Sequence, residues 1–117
     1  MTAKHIILVN PAPDYDPENY KKFDISMGVG APLGIILLAT VLHNAGFKTT
    51  ILDGQIKDCK LELDSLIRDS ASIEFIGFSV MSSQYNTAAY LSKRVKKVYP
   101  ELPVVWGGFH PTIFPEA

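Results

Sequence analysis

Short apolar runs alternate with longer, helix-length segments along this chain of 117 residues. Four of the short runs have the composition of β-strands and cover His5–Val9, Phe47–Leu52, Glu74–Met81 and Leu102–Trp106. The first, HIILV, is apolar without alternation, which is typical of a strand covered on both faces. The pattern therefore predicts a sheet with at least one strand buried on both sides.

The segment after the first strand predicts a long loop followed by an apolar helix. Residues from Asn10 to about Ala31 form the loop, and loops of this length in compact domains are often functional. Pro32 suits the first turn of a helix, and Gly46 suits the position just after the last turn. The intervening sequence LGIILLATVLHNAG is apolar almost all round. We therefore expect this helix to be buried or covered by a partner.

Two further helices are predicted between the later strands. One spans about Leu61–Ser70 and is weakly amphipathic, and the other spans Gln84–Tyr99, with Ser82 or Ser83 as its cap. The residues expected on the inward stripes of these helices are Leu63, Leu66, Ile67, Tyr85, Ala88, Ala89, Val95 and Tyr99.

The order of elements, β-α-β-α-β-α-β, predicts an α/β fold. Strands that alternate with helices are joined by right-handed crossovers and lie parallel. We predict a flavodoxin- or Rossmann-like doubly wound sheet of order 2-1-3-4, in which ligands bind at the carboxyl ends of the strands, at the switch between strands 1 and 3. The long loop after Val9 and the segments SVMSSQ and GGFHPT all fall at this edge.

The stretch VVWGGFHPT ends the fourth strand on two glycines, Gly107 and Gly108. Paired glycines either form a tight turn or let the backbone approach a ligand closely. Ser79 and Met81 should point to one face at the end of the third strand, where Ser79 either packs beside a helix start or donates a hydrogen bond to a ligand. Because both strand ends reach one edge, together they outline a shallow slot floored by backbone.

Composition and charge argue against several classes of function. Eleven basic residues against twelve acidic ones, without a basic block, disfavour a nucleic-acid surface. The longest apolar stretch, Ala31–Leu42, is shorter than the roughly 20 residues that a membrane span needs. The single cysteine, Cys59, excludes an internal disulfide, and the start MTAKHIILVN shows no cleavable signal pattern, so we expect a cytoplasmic protein. Neither a P-loop nor a catalytic nucleophile–base arrangement is visible.

Taken in order, these segments resemble the cobalamin (B12)-binding domain found at the N-terminus of B12-dependent radical SAM enzymes. NPAP after the first strand is similar to the Pro-rich opening of that domain, and PLGIILLATVLHNAGFKTTILD is similar to its P-x-G-x-x-x-L-A-x-x-L-x-x-x-G segment. IGFSVMSSQY and VVWGGFHPTIFPE resemble its third and fourth strand ends. Ser79-x-Met81 with Gly107-Gly108 resembles the S-x-L…GG signature of cobalamin domains, with Met in place of Leu.

The resemblance implies that cobalamin lies over the carboxyl edge of the sheet. Ser79 would contact the base of the nucleotide tail, and Gly107 and Gly108 would let the tail pass. The cofactor-binding residues that the resemblance implies are Leu33, Gly34, Ser79, Val80, Met81, Ser82, Gly107, Gly108, Phe109 and His110.

One departure from the wider family concerns the lower ligand of cobalt. Many cobalamin domains carry D-x-H-x-x-G, whose His ligates the metal. If Gly34 matches the final Gly, Ala31 stands at the His position and Val29 at the Asp position. The resemblance therefore implies base-off binding without a protein imidazole as lower ligand, as in the radical SAM branch.

The family continues into a fifth strand and helix and then into a radical SAM barrel. Residues 1–117 are therefore expected to be a cobalamin-binding fragment, non-catalytic by itself, whose fifth strand is missing. The downstream domain of the parent enzyme would hold a 4Fe-4S cluster and S-adenosylmethionine, with methyl transfer among the reactions implied. Two alternatives stay open, a flavodoxin-like flavin-binding domain and a receiver-like interaction domain. The first lacks a Ser/Thr-rich phosphate cradle after strand 1, and the second lacks an Asp at the end of strand 3.

Overall fold

A computed structural model describes residues 4–12, 33–54, 59–69 and 73–108. Strands and helices alternate along this part of the chain. In chain order, its elements are β1 (His5–Asn10), α1 (Leu33–Asn44), β2 (Lys48–Asp53), α2 (Cys59–Asp69), β3 (Ile73–Ser79), a 3-10 turn (Ser82–Gln84), α3 (Tyr85–Val98) and β4 (Val104–Gly107).

The four described strands form one parallel sheet in the order β2-β1-β3-β4. The predicted α/β fold, flavodoxin/Rossmann-like with strand order 2-1-3-4, is confirmed. The strand boundaries differ from the prediction by at most two residues. The largest differences are that β3 ends at Ser79, so Met81 lies beyond it, and that β4 begins only at Val104 and not at Leu102.

The two faces of the sheet are covered to different extents. On one face, α2 and α3 pack over Ile7, Val9, Ile76 and Phe78, all fully or almost fully buried. On the other face, α1 packs chiefly on β1 and β2, and its smaller core contains Ile6, Leu8, Ile35 and Ala39. Residues 6–9 of β1 alternate between these two cores, which explains why IILV is apolar at every position.

Helix α1 is more exposed than its composition predicts. Ile35 and Ala39 are buried in the core, and Leu42 packs against it. Large apolar side chains that remain at least one-third exposed on this helix are Leu33, Ile36, Leu37, Leu38 and Val41. Within the described residues, burial of this helix is therefore confined to one stripe, and coverage of its outer surface by a partner stays a prediction. The predicted end is confirmed, since Gly46 adopts a φ of +97°, a value that favours glycine.

Helices α2 and α3 turn their apolar residues toward the sheet. Leu63, Ile67, Ala88 and Val95 are buried, as the sequence predicts. The prediction is wrong for Tyr99, which is 45% exposed and follows the last residue of α3, Val98. Leu91, which the sequence did not predict, is buried on the inward stripe.

On the outer surface of these two helices, Arg94 of α3 forms a salt bridge with Asp64 of α2. Arg94 Nε donates to Asp64 Oδ1 at 2.9 Å, and Arg94 Nη2 donates to Asp64 Oδ2 at 2.6 Å. The hydrogen bond from Arg94 lowers the pKa of Asp64 below its ordinary value. This bidentate contact fixes the relative register of α2 and α3.

Within the described ranges, every helix falls short of the length and hydrophobicity that crossing a bilayer requires.

Candidate functional site

The ends of β3 and β4 lie side by side at the carboxyl edge of the sheet. Ser79 and Gly107 are partners in the parallel register, and the amide of Val80 donates to the Gly107 carbonyl at 2.8 Å. The two strand ends that the sequence linked through Ser79 and the glycine pair are therefore neighbours. This adjacency places a serine hydroxyl next to residues without side chains.

The absence of a side chain has a different structural consequence at each of the two glycines. Gly108 has a φ of +100°, and a Cβ on it would lie 3.1 Å from the Val80 carbonyl oxygen and 3.5 Å from Ser79 Oγ. The protein's own backbone therefore demands glycine at position 108. At Gly107, by contrast, no atom of the described residues lies within 4 Å of the position that a Cβ would take. Gly107 is the residue whose missing side chain leaves open space.

One face of β3 and β4 carries few bulky side chains near this edge. Gly77 pairs with Val105 and Ser79 pairs with Gly107, and these four residues share the face onto which Phe75 also projects. We call Gly77, Ser79, Val105 and Gly107 the small-residue face. Val105 is 51% exposed, since α1 covers chiefly the other half of this face. The result is a shallow surface floored by backbone, with one hydroxyl.

The start of α1 reaches the same edge. In a parallel crossover the helix runs opposite to the strands, so Leu33 and Gly34 lie at the carboxyl end of the sheet. Both are exposed, and no described atom lies within 4 Å of a Cβ built on Gly34. Contact with the described sheet therefore does not account for this glycine, whose surface is open among the described residues.

The remaining predicted site residues divide into three groups. Val80 is fully buried in the main core, so its backbone, and not its side chain, faces the edge. Met81 is 50% exposed just beyond β3, and Ser82 opens the 3-10 turn. Phe109 and His110 lie outside the described residues.

A buried polar relay at the same edge was not predicted from the sequence. Asn10 Nδ2 donates to Asp53 Oδ1 at 3.1 Å, and Gln84 Nε2 donates to Asn10 Oδ1 at 2.9 Å. Gln84 Nε2 also donates to the Pro11 carbonyl at 2.9 Å, while its Oε1 accepts from the Met81 amide at 2.9 Å. The relay thus joins the chain at the ends of β2, β1 and β3. We call Asp53, Asn10 and Gln84 the edge relay.

The edge relay occupies the switch between β1 and β3, the place where doubly wound sheets commonly bind ligands. Gln84 bridges these two strand ends and is only 8% exposed. The slot that the sequence predicted from Ser79 and the glycine pair lies one strand further, at the ends of β3 and β4. Gln84 is also the N-cap residue of α3, so the prediction of Ser82 or Ser83 as the cap is wrong. The available signal was a Gln three residues beyond Met81, at the start of an amphipathic helix.

Neither histidine in the described residues lies at the carboxyl edge. His5 begins β1 at the opposite, amino edge, where it is buried and its Nε2 lies 2.7 Å from Thr50 Oγ1. Burial lowers the pKa of His5, and the charge of Lys48 adds to the effect. His43 lies in the last turn of α1, at the far end of the helix from Leu33.

No cluster of three or more His, Cys, Asp or Glu side chains in the described ranges is placed to hold a metal ion. The described edge offers open backbone and the Ser79 hydroxyl on the small-residue face, with a buried relay beside it. These features suit a large organic ligand that brings its own reactive group.

Comparison with protein families matches residues 26–117 to the B12-binding domain, described as "B12 binding domain", over well more than half of the chain. No curated protein and no solved structure matches the chain. The matched range includes α1, the small-residue face and every cofactor-binding residue that the sequence predicted. The α/β sheet of order 2-1-3-4 is the fold of this family. The chain therefore belongs to the family of B12-binding domains.

Proposed function

We propose that this chain binds cobalamin base-off, with the nucleotide tail on the small-residue face, as the cofactor module of a B12-dependent radical SAM enzyme. Family membership supports the cobalamin-binding module. The proposal adds the position of the tail, the absence of a protein imidazole on cobalt, and the class of the parent enzyme. Bound cobalamin would supply a cobalt centre able to carry a methyl group.

The observation that carries the proposal is the open space at Gly107 beside Ser79. A flat base can lie against a strand end only where side chains are missing, and no described atom occupies the space in front of Gly107. Ser79 Oγ lies at the same register position, so its hydroxyl can donate to a ring nitrogen of a base lying there. The residues present therefore fit a nucleotide tail.

Base-off binding without a protein ligand is the part of the proposal that concerns histidine. His5 is buried at the amino edge, and His43 lies at the far end of α1 from the site. At the position where related domains carry the ligating histidine, the sequence has Ala31, which has no donor atom. A protein that leaves the lower face of cobalt free of imidazole alters the reactivity of the upper face, because axial ligation tunes the cofactor.

The class of the parent enzyme rests on the sequence resemblance. The segments PLGIILLATVLHNAGFKTTILD and VVWGGFHPTIFPE, together with the lack of D-x-H-x-x-G, are similar to the radical SAM branch. In that branch a 4Fe-4S cluster and S-adenosylmethionine belong to a downstream domain, and methyl transfer is the reaction we propose for the whole enzyme. We propose a cytoplasmic location for it. This chain supplies cofactor binding and no catalytic residue.

Retention of a corrinoid tests the proposal directly. The protein is mixed with hydroxocobalamin, desalted, and its visible spectrum recorded. We expect the corrin to be retained with a base-off spectrum, because the tail base is held by the protein and not by cobalt. Retention of FMN in place of the corrin would support a flavodoxin-like domain instead. Retention of neither by folded protein would contradict the proposal.

A substitution at Gly107 tests the position of the tail. Gly107→Leu places a side chain in the open space, so we expect retention of cobalamin to fall at least about tenfold, a loss of about 1.4 kcal/mol. Circular dichroism should stay unchanged, since no described atom beyond the two neighbouring residues lies within 4 Å of a Cβ at this position.

The matched control for Gly107→Leu is Ser65→Leu, which adds similar bulk on the exposed surface of α2. This control should bind cobalamin like the original protein. Equal binding by both variants would place the tail elsewhere.

A further inference from the structure

We propose that Gln84 is a positioning residue for the nucleotide tail of cobalamin, an inference that rests on the proposed tail site. Gln84 does this by fixing the backbone of the segment from Ser79 to Met81 against the end of β1. The inference follows from the hydrogen bonds of the edge relay and from the burial of Gln84.

All the hydrogen-bonding groups of the Gln84 side chain are directed at the carboxyl edge. Its amide nitrogen donates to Asn10 Oδ1 and to the Pro11 carbonyl, both at 2.9 Å, and its Oε1 accepts from the Met81 amide at 2.9 Å. These partners fix the orientation of the amide, because only its nitrogen end can face two acceptors and only its oxygen end can face an N–H. Gln84 therefore ties the chain after β3 to the chain after β1.

The segment held by Gln84 is the one that meets the tail. The Met81 amide is bonded to Gln84, and the preceding amide, of Val80, is bonded to the Gly107 carbonyl at 2.8 Å. Two consecutive amides are thus held from opposite sides, one by the relay and one by β4. Ser79, immediately before them, carries the hydroxyl of the small-residue face. The hydrogen bonds of the Val80 and Met81 amides both hold the backbone next to Ser79. Loss of the bond to Met81 would remove one of these two supports.

Helix capping and direct ligand contact do not account for the Gln84 side chain. It makes no side-chain cap hydrogen bond to α3, although Gln84 is the N-cap residue. Gln84 is only 8% exposed, so it is also too buried to contact a ligand that lies on the small-residue face. Burying a polar side chain costs desolvation free energy unless its hydrogen bonds are made inside the protein. Both the nitrogen and the oxygen of the Gln84 amide make such bonds. Its effect on the site is therefore indirect.

Two corrinoids, one with the nucleotide tail and one without it, test this role. Hydroxocobalamin carries the nucleotide tail, and dicyanocobinamide lacks it. In Gln84→Met, which keeps the length of the side chain and removes its hydrogen bonds, we expect the dissociation constant for hydroxocobalamin to rise about tenfold. The dissociation constant for dicyanocobinamide should stay within about twofold, because that ligand has no tail to position.

Gln84→Glu provides a second, independent comparison. It keeps an acceptor for the Met81 amide but turns an oxygen toward Asn10 Oδ1 and the Pro11 carbonyl, so we expect the same selective loss. The control is Lys93→Met, on the exposed side of α3, which should bind both corrinoids like the original protein. Folding of each variant is checked by circular dichroism before titration.

The remaining outcomes separate this inference from the proposed function. An equal loss of affinity for both corrinoids would assign Gln84 a general structural role and overturn the inference, as would unchanged affinity for hydroxocobalamin. If the original protein binds both corrinoids and Gly107→Leu changes neither, the tail site itself is wrong. If the original protein binds no corrinoid, the proposed function fails, and this inference fails with it.

Discussion

At the scale of single residues, two neighbouring glycines are needed for different reasons. Gly108 adopts a φ of +100°, and a Cβ there would press on the Val80 carbonyl at 3.1 Å. Gly107 is an extended strand residue facing open space. A bulky substitution at Gly108 would therefore test the stability of the fold, whereas the same substitution at Gly107 tests the proposed ligand site. The distinction could not be read from the dipeptide, because it depends on where Val80 lies.

Alanine substitutions separate these two roles. We expect Gly108→Ala to lower the free energy of unfolding by about 1–3 kcal/mol, the usual cost of holding a non-glycine residue in a sparsely populated backbone conformation. Gly107→Ala should raise it by up to about 1 kcal/mol, because alanine loses less conformational entropy in a strand. Urea denaturation of both variants measures the difference. A larger loss in Gly107→Ala than in Gly108→Ala would contradict this assignment.

At the scale of elements, α1 buries one narrow stripe and leaves the rest of an apolar surface exposed. Ile35 is 6% exposed, whereas Leu37, two residues on, is 68% exposed. A helix without Asp, Glu, Lys or Arg has no polar face to turn toward water, so its sequence gives no sign of which side packs on the sheet. The packing of β1 and β2 makes that choice.

Truncation of the buried and the exposed positions should give different results. Ile35→Ala removes contacts with the core formed by Ile6 and Leu8, so we expect it to lower the free energy of unfolding by about 2–5 kcal/mol. Leu37→Ala, the matched control on the same helix, should change it by no more than about 0.5 kcal/mol. Chemical denaturation measures both values. Equal losses would mean that the exposed side of α1 is covered by another part of the protein.

At the scale of the whole molecule, the two edges of the sheet differ in chemistry. The carboxyl edge holds the small-residue face and the edge relay, while the amino edge buries His5 against Thr50. Burial, with the charge of Lys48, lowers the pKa of His5, so the folded protein favours the neutral imidazole. The unfolded chain takes up a proton near the ordinary value of about 6.5. Folding is therefore linked to pH through a residue distant from the ligand site.

The direction of this linkage can be predicted. Between the lowered pKa of the folded state and about 6.5, the unfolded state binds more protons, so stability rises with pH. The contribution of neutral His5 is complete above about pH 6.5 and is lost progressively as the pH falls toward the folded-state pKa. Denaturation at about pH 7.5 and about pH 5.5 should show the decrease, and His5→Gln should reduce it. His43→Gln, at an exposed position, is the control and should retain it.

The sequence by itself determined the order of the elements, the parallel sheet and the pairing of Ser79 with the glycine pair. Local signals were enough for these features, because apolar runs, a proline start and a glycine stop report on neighbours along the chain, and alternating elements restrict the topology. The motif segments also indicated cobalamin binding, which the family match to residues 26–117 supports.

Only the tertiary structure decided which glycine of the pair faces open space among the described residues, which side of α1 is buried, and how the chain ends after β1 and β3 are joined. Each of these depends on atoms that are far apart in the sequence. Gln84 meets Asn10 across 74 positions, and that contact bridges the ends of β1 and β3. A pattern of residue types records what a side chain prefers, but the partner that satisfies it is fixed only when the strands assemble.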